Sequence, residues 1–247
     1  MSLHHHATIA DERMIHSYTS LSIYASCPYR YYLRYYLRKK EPITQPLALG
    51  KAVHKAIQTM IETDSTLEEA IHAGLIEADF YPLNRMEIEW LVLNASAQPG
   101  MGETEVYFCL LLSDKPDSPQ LQGYIDLVGD GWLIDWKTNR DPSTAINTMQ
   151  MPLYAWALLQ MKPLIAIQAT LYFLRYKYAA SKTYTKASVE PARIWAYNTA
   201  LTIEKKFCLL DKQIEKSHIL FPAKPSATCK HCGFAWECYR NHQMKGA

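Results

Sequence analysis

The sequence has no apolar run long enough to cross a membrane, and no apolar segment typical of a secretion signal follows its first residues. These absences favour a cytoplasmic protein. Net charge is also small, because 26 Lys and Arg oppose 24 Asp and Glu for a balance of +2. Any basic surface for nucleic acid must therefore be local. Glycine is scarce, nine in 247 residues against 17 tyrosines, which argues against a repeat-rich or disordered chain.

The length of 247 residues suits one large domain, or one domain with a helical elaboration. Residues 1–16 include histidines 4 to 6, which look like part of a purification tag, and we expect this start to be disordered. The remaining pattern predicts one α/β domain over 17–247. It has a helical region at 17–100, a mixed β/α core at 101–190, and a long helix with a cysteine-bearing tail at 191–247.

The segment "GYIDLVGDGWLIDWKTNRD" predicts two short strands joined as a hairpin. Asp135 and Lys137 are two residues apart, so they share one face of their strand. Asp126 joins them if the loop has four residues, Gly129 to Trp132, because Asp126 then lies opposite Asp135. A three-residue loop would place Asp126 on the other face unless a bulge intervenes. We predict the geometry that brings all three side chains together.

Two carboxylates at close range repel each other unless positive charge joins them. A divalent cation supplies that charge, and oxygen ligands suit Mg²⁺ or Mn²⁺. A lysine beside the cation can orient a water or stabilise a developing oxyanion, which is the chemistry of metal-assisted phosphodiester hydrolysis. The alternative is a solvated hairpin whose charges face water. The apolar neighbours in "WLIDWKT" favour burial, and buried charges need partners.

Three cysteines lie within ten residues near the C-terminus: Cys229, Cys232 and Cys238. In a reducing compartment this spacing favours a metal site over disulfides. The fourth ligand is either a nearby histidine, His231 or His242, or the distant Cys27 of "SCPYR". Thiolates suit both an iron–sulfur cluster and Zn²⁺. Cys109 and Cys208 have apolar neighbours, so we expect both to be buried core thiols.

The segment "YRYYLRYYLRKK" combines cations with aromatic residues. Arg30, Arg34 and Arg38 recur every four residues and predict one helical stripe. Tyrosines form a neighbouring stripe, which is either a buried face or a surface on which bases stack. For the cations, with Lys39 and Lys40, we expect contacts with phosphates.

Taken in order, these segments resemble a known family. "SLSIYASCPYRYYLRYYLRKKEP…LALGKAVHKAI" and "GYID…IDWKT…QMPLY" are similar to the PD-(D/E)xK nuclease superfamily, in its RecB/AddB-type exonuclease branch. The resemblance covers about residues 17–238. It implies a restriction-endonuclease-like mixed sheet flanked by helices, and a cytoplasmic, Mg²⁺- or Mn²⁺-dependent deoxyribonuclease that cuts single-stranded DNA from its ends.

The resemblance also implies residue roles. The metal ligands would be His54, Asp126, Asp135 and the backbone carbonyl of Trp136. The catalytic lysine would be Lys137. Gln150 and Tyr154 would form the Gln-x3-Tyr pair that places the DNA, a pair that shares a helix face unless the helix starts only at Pro152. Glu105 would support the metal, with Glu103 as its competitor.

In the family, one early cysteine and three late ones hold a [4Fe-4S] cluster. Here Cys27, Cys229, Cys232 and Cys238 would be those ligands, with Zn²⁺ as the alternative. DNA is the implied partner, and a helicase or CRISPR adaptation proteins are further ones. Three alternatives remain open: a CRISPR-adaptation nuclease that trims spacer precursors, a non-catalytic DNA-binding subunit, and a zinc-stabilised interaction protein.

Overall fold

The computed structural model describes residues 14–142, 148–212 and 216–243, so predictions on the first 13 residues lie outside it. The helices are α1 (Tyr18–Ser26), α2 (Pro28–Tyr31), α3 (Gln45–Glu62), α4 (Leu67–Glu77), α5 (Arg85–Asn94), α6 (Gln150–Met161), α7 (Lys186–Asp211), α8 (Ser217–Leu220) and α9 (Ala235–Gln243). A π-helical turn, Tyr32–Tyr36, follows α2, and short 3-10 turns occupy Leu174–Tyr176 and Ala227–His231. Among the described residues, no helix is both long and apolar enough to cross a membrane.

The strands are β1 (Ile15–Ser17), β2 (Glu103–Leu111), β3 (Gln120–Val128), β4 (Trp132–Lys137), β5 (Ala166–Phe173) and β6 (Tyr178–Thr185). They form a six-stranded sheet in the order β1-β3-β4-β5-β6, with β2 also paired to β3. Pairs β1/β3 and β4/β5 are parallel, whereas β3/β4 and β5/β6 are antiparallel. This mixed sheet with flanking helices confirms the predicted fold class.

Two compact units make up the chain. The first comprises Met1–Pro42, Cys109–Gln122 and Ile194–Ala247, and the second comprises Ile43–Phe108 and Gly123–Arg193. The single domain expected over 17–247 stays a prediction.

In the second unit, α3 is the amphipathic helix on which the core is built. Its buried residues, among them Val53 and Ile57, pack with apolar side chains of α4 and α5 and with Leu127 and Trp136 of the sheet. Helix α4 approaches α3 closely at Gly74, where an added Cβ would lie 2.2 Å from the Ala52 carbonyl oxygen. This packing fixes the face of α3 that points toward the hairpin strands.

The starts of α6 and α7 both bear on the sequence expectation, and only that of α7 differs from it. Helix α6 begins at Gln150, so Pro152 falls in its first turn, where a missing backbone N–H costs nothing. Helix α7 begins at Lys186, whereas the sequence pattern places the long helix from residue 191. Thr185 and Ser188 cap this earlier start reciprocally, since each backbone N–H donates to the other side chain's hydroxyl.

In the first unit, aromatic side chains of α1, α2 and the π-helical turn pack on Phe207 and Phe221. Leu37 N donates to Tyr32 O across five residues, which is the hydrogen bond of a π-helix. The helix then ends, and Arg38 adopts a left-handed φ of 51°. The predicted single stripe of Arg30, Arg34 and Arg38 is therefore wrong, because Arg38 lies beyond the helix.

Candidate active site

The β3–β4 hairpin has the register that brings the two aspartates together. Leu127 lies opposite Ile134 and Val128 opposite Leu133, so one step further along Asp126 falls opposite Asp135. Gly129 N donates to Trp132 O over 3.0 Å and closes the turn. Only three residues, 129 to 131, separate the strands, because Trp132 belongs to β4 and not to the loop. The register is nevertheless the one expected for the four-residue loop.

A hydrogen-bonded chain of side chains joins β4 to α6. Lys137 Nζ lies 2.6 Å from Asp135 Oδ2 and donates to Gln150 Oε1 over 2.9 Å. Gln150 Nε2 donates to Asp135 Oδ1 over 2.9 Å and to Tyr154 Oη over 3.2 Å. Because α6 starts at Gln150, residues 150 and 154 share a helix face as the sequence pattern requires.

His54 reaches the same place from α3. Its Nδ1 lies 3.4 Å from Asp126 Oδ2, and that oxygen also accepts a 2.7 Å hydrogen bond from Trp136 N. Burial lowers the pKa of His54, but the Asp126 carboxylate outweighs it and raises the pKa to about 9. Burial likewise opposes ionisation of Asp126, yet His54 holds the Asp126 pKa below its usual range. The two groups therefore form an ion pair.

The pKa of Asp135 is shifted upward, opposite to that of Asp126. Asp135 is 2% exposed, and burial raises its pKa against the opposing effect of Lys137. Two neighbouring carboxylates whose pKa values are pushed apart are typical of functional sites, since one group favours the charged form and the other resists it.

Glu105 occupies a special position in β2. Its backbone φ is 48°, a left-handed value that is uncommon for a non-glycine residue and that marks strained positions. Burial raises the pKa of Glu105, and the charge of Asp126 adds to this effect. Its competitor Glu103 has a side chain that is 71% exposed and lies 3.4 Å from Lys162. Of the two, Glu105 is electrostatically coupled to Asp126 and His54.

The chemistry of this set fits a divalent cation. Asp135 Oδ2 is buried and accepts no hydrogen bond of ordinary geometry from the described residues, although Lys137 Nζ is near it. Beside its contact with the ammonium, a carboxylate oxygen keeps a second lone pair, and such a hard oxygen suits a metal ion. In the described parts of the chain, no three His, Cys, Asp or Glu groups stand arranged around one metal position. His54 and Lys137 instead supply the positive charge that offsets the aspartates.

Gly123 is a site residue that sequence reasoning missed. A Cβ at this position would lie 2.8 Å from the Phe108 ring and 3.4 Å from the Tyr154 ring. Those two rings pack edge to face with centroids 5.9 Å apart, so the glycine makes room for the packing that holds Tyr154 in place. A glycine inside a strand pattern signals a close approach of this kind.

Four cysteines of the first unit line one cavity of about 510 Å³: Cys27, Cys229, Cys232 and Cys238. Burial raises the pKa of Cys238, and the three other thiols add to the shift, so the four groups interact. His231 is exposed and does not line this cavity, whereas the side chain of His242 lies outside the described residues. Four soft sulfur donors fit an iron–sulfur cluster or Zn²⁺.

The expectation of two further core thiols is wrong. Cys208 is exposed on α7, and Cys109 is half-buried in β2. Both positions have apolar sequence neighbours, but their own side chains do not fully enter the core.

Most cations of the basic segment, residues 30–40, form ion pairs with carboxylates. Glu41 contacts Arg30 at 2.7 Å and Arg34 at 3.1 Å, and it accepts the backbone N–H of Gly233 at 3.2 Å. Lys39 pairs with Glu237. These contacts tie the segment to the cysteine tail of the first unit. Arg38 and Lys40 remain exposed.

A comparison with protein families identifies the superfamily of the chain. Residues 16–239 match the pattern of the PD-(D/E)XK nuclease superfamily. The chain belongs to that superfamily. No curated protein matches it significantly. Among solved structures, one titled "Crystal structure of SSO0001" is 14% identical, with a TM-score of 0.44 and coverage of 92% of this chain and 87% of that chain.

Membership of the superfamily bears on which metal ion the clustered side chains would bind. Nucleases of this superfamily typically use Mg²⁺ or Mn²⁺, and this nuclease domain has carboxylates and a lysine of the matching types on its hairpin strands.

Proposed function

We propose that the protein is a metal-dependent DNA exonuclease that hydrolyses phosphodiester bonds from single-stranded ends. The observation that supports this most directly is the Lys137 ammonium, held between Asp135 and Gln150 beside Asp126 and His54. An ammonium fixed next to buried carboxylates suits the stabilisation of negative charge that develops on a phosphate.

In this proposal, each residue of the set acts in a defined way. Lys137 donates a hydrogen bond to the attacking water or to the developing oxyanion, and Gln150 keeps its ammonium in position. His54, Asp126, Asp135 and the Trp136 carbonyl would hold the divalent cation, with Glu105 in support. The cation would polarise the scissile phosphate as a Lewis acid. Tyr154, which accepts a hydrogen bond from Gln150, would help to place the DNA.

The test uses end-labelled single-stranded DNA, Mn²⁺ and the pure protein. Lys137→Ala should lower the cleavage rate by about 10²–10⁴, the usual contribution of a positioned proton donor. Lys186→Ala is the matched control, because Lys186 is an exposed lysine at the start of α7. Lys186 also lies away from the candidate site. Its neighbour Thr185 pairs with Ala166 at one end of β5, whereas Lys137 pairs with Phe173 at the other end. Cleavage by Lys137→Ala at the wild-type rate would overturn the mechanism.

Substrate form is tested separately. Linear single-stranded DNA should be degraded, whereas circular single-stranded DNA should survive if cleavage starts from ends. In the first unit, Arg38 and Lys40 are exposed cations, and cations that follow the phosphates suit single strands. DNA retention without cleavage under any divalent metal would instead favour a non-catalytic DNA-binding subunit. A helicase or CRISPR adaptation proteins are the partners to test if the isolated chain acts slowly.

We also propose that Cys27, Cys229, Cys232 and Cys238 bind a [4Fe-4S] cluster with a structural role. Support comes from the single cavity that all four thiols line, and from their mutual influence on the pKa of Cys238. A sample prepared without air should be brown and should contain iron and sulfide. A colourless sample with stoichiometric zinc would replace the cluster by Zn²⁺ and leave the nuclease proposal intact.

A further inference from the structure

A second cavity of about 510 Å³ lies within the second unit, next to the candidate active site. One wall is the stretch after β4, starting at Thr138, which directly follows Lys137. Another wall is the first part of α3, where Leu49 precedes His54 by five residues, or about 8 Å along a helix. The two elements that carry the active-site residues therefore continue into this cavity.

Hydrogen bonds and an ion pair anchor the backbone that forms one wall of the cavity. Arg175 Nε donates to the Thr138 carbonyl over 2.8 Å, and its Nη2 lies 2.6 Å from Glu87 Oε1. Both side chains of that ion pair are largely buried. Tyr176 Oη donates to the Arg140 carbonyl. The backbone that leaves Lys137 is thus anchored at residues 138 and 140, so side chains on it are presented from a fixed position.

Arg140 lines this cavity with an exposed side chain, and in the described parts of the chain its guanidinium has no ion-pair partner. It follows Lys137 by three positions, so their Cα atoms are at most about 11 Å apart. Arg140 therefore lies within reach of a phosphate next to the scissile one. A guanidinium suits phosphate oxygens through paired hydrogen bonds.

The size and lining of the cavity also suit a nucleotide. Small-molecule sites commonly measure about 300–1,000 Å³ and combine apolar wall with a few polar groups. Here Leu49 and Pro46 supply apolar surface for a base, and Gln45 supplies an amide group for its edge. Two carboxylates, Glu87 and Asp141, also line the cavity, and Arg175 pairs with the first.

We propose that this cavity binds one nucleotide of the DNA strand beside the scissile phosphate, with Arg140 on that nucleotide's phosphate and with Arg175 and Tyr176 as positioning residues. The proposal rests on the nuclease function proposed above and names the subsite that would hold its substrate.

The test compares Arg140→Gln with Tyr176→Phe and the control Lys186→Gln. Binding of a fluorescein-labelled single-stranded oligonucleotide is followed by anisotropy in Ca²⁺ at several salt concentrations, and cleavage kinetics are measured in Mn²⁺. Arg140→Gln should bind roughly tenfold more weakly, as expected for loss of a charged hydrogen bond. Its log Kd against log salt should lose about 0.7 of slope, the value for one single-strand phosphate contact. KM should rise by more than kcat falls.

Tyr176→Phe should show a smaller loss of affinity with an unchanged salt slope and an unchanged Tm, because Tyr176 is 53% exposed. Lys186→Gln should match wild type in every respect. Wild-type affinity and slope for Arg140→Gln, or an equal loss for Lys186→Gln, would overturn the subsite. A wild-type protein that binds DNA but never cleaves it would overturn the nuclease function, and the binding experiment would then decide the subsite by itself.

Discussion

Gln150 Nε2 donates a hydrogen bond to Asp135 Oδ1 over 2.9 Å. The Oε1 atom of the same amide accepts a hydrogen bond from the Lys137 ammonium. One residue at the start of α6 therefore positions both charged groups of β4. Gln150→Leu keeps the approximate volume and removes both bonds. We expect kcat to fall about 10–100-fold, the usual effect of losing an outer-shell partner at a metal site, and Tm to fall as well, because the buried Asp135 Oδ1 loses a hydrogen bond. Steady-state kinetics and thermal denaturation check this.

Tyr154→Phe is the matched variant for that experiment. It removes only the hydroxyl that Gln150 contacts at 3.2 Å and keeps the ring against Phe108. Its loss of activity should be smaller than that of Gln150→Leu. A larger loss would mean that the phenol, and not the amide, is the functional partner.

The two acidic residues at the start of β2 should behave differently. Glu105 is half-buried and coupled to Asp126, whereas the Glu103 carboxylate is 71% exposed. Glu105→Gln should weaken Mn²⁺ binding about 10–100-fold, as expected for a support of metal ligands, while Glu103→Gln should bind Mn²⁺ as wild type does. Calorimetric titration with Mn²⁺ measures both. Equal affinities for the two variants would remove Glu105 from the site.

Local periodicity explains why much of this site could be predicted. Residues two apart on a strand share a face, so Asp135 and Lys137 had to point the same way whatever the tertiary structure. Helix spacing did the same for Gln150 and Tyr154 once Pro152 was placed in the first turn. Which separate segments meet was predicted only by the resemblance to the nuclease superfamily.

Other features of the structure could not be predicted, because they depend on backbone geometry and on partners distant in sequence. Periodicity carries no information about either. The left-handed φ of Glu105 distinguishes it from Glu103, but nothing in "ETEVYF" signals it. The π-helical turn takes Arg38 out of register with Arg30 and Arg34. No spacing rule links Arg140 to an anchor such as Tyr176, 36 residues away.

The His54 ion pair predicts a pH-dependent stability for the protein in EDTA. Its folded pKa of about 9 exceeds the ordinary value of 6.5, because Asp126 outweighs the opposing effect of burial. The stabilisation is therefore complete below pH 6.5 and is lost as pH rises through 9. Chemical denaturation should show unfolding free energy falling over this window, and His54→Asn should lack that fall. With Mn²⁺ the trend should reverse, because a metal ligand must be the neutral imidazole.

Two helix glycines should respond oppositely to alanine. At Gly50 of α3 an added Cβ would meet only Thr138 Oγ1, at an ordinary 3.8 Å, whereas at Gly74 it would lie 2.2 Å from the Ala52 carbonyl oxygen. Gly50→Ala should stabilise the fold by up to about 1 kcal/mol through helix propensity. Gly74→Ala should destabilise it by about 1–3 kcal/mol, because α4 must move away from α3. Urea denaturation of both variants measures the difference, and a stabilising Gly74→Ala would contradict the close helix contact.

The cysteine cavity separates two possible fourth ligands. Cys27 lines it together with the three C-terminal cysteines, and His231 is exposed outside it. Cys27→Ala should therefore release the metal and lower Tm, because metal binding contributes folding free energy. His231→Ala should keep the metal and change stability by no more than about 0.5 kcal/mol, as surface substitutions usually do. Cys208→Ala is the matched cysteine control, since Cys208 is exposed on α7 and does not line the cavity. Metal analysis and thermal denaturation of the three variants decide the question, and release of metal by His231→Ala alone would assign the site to a local knuckle of the C-terminal tail.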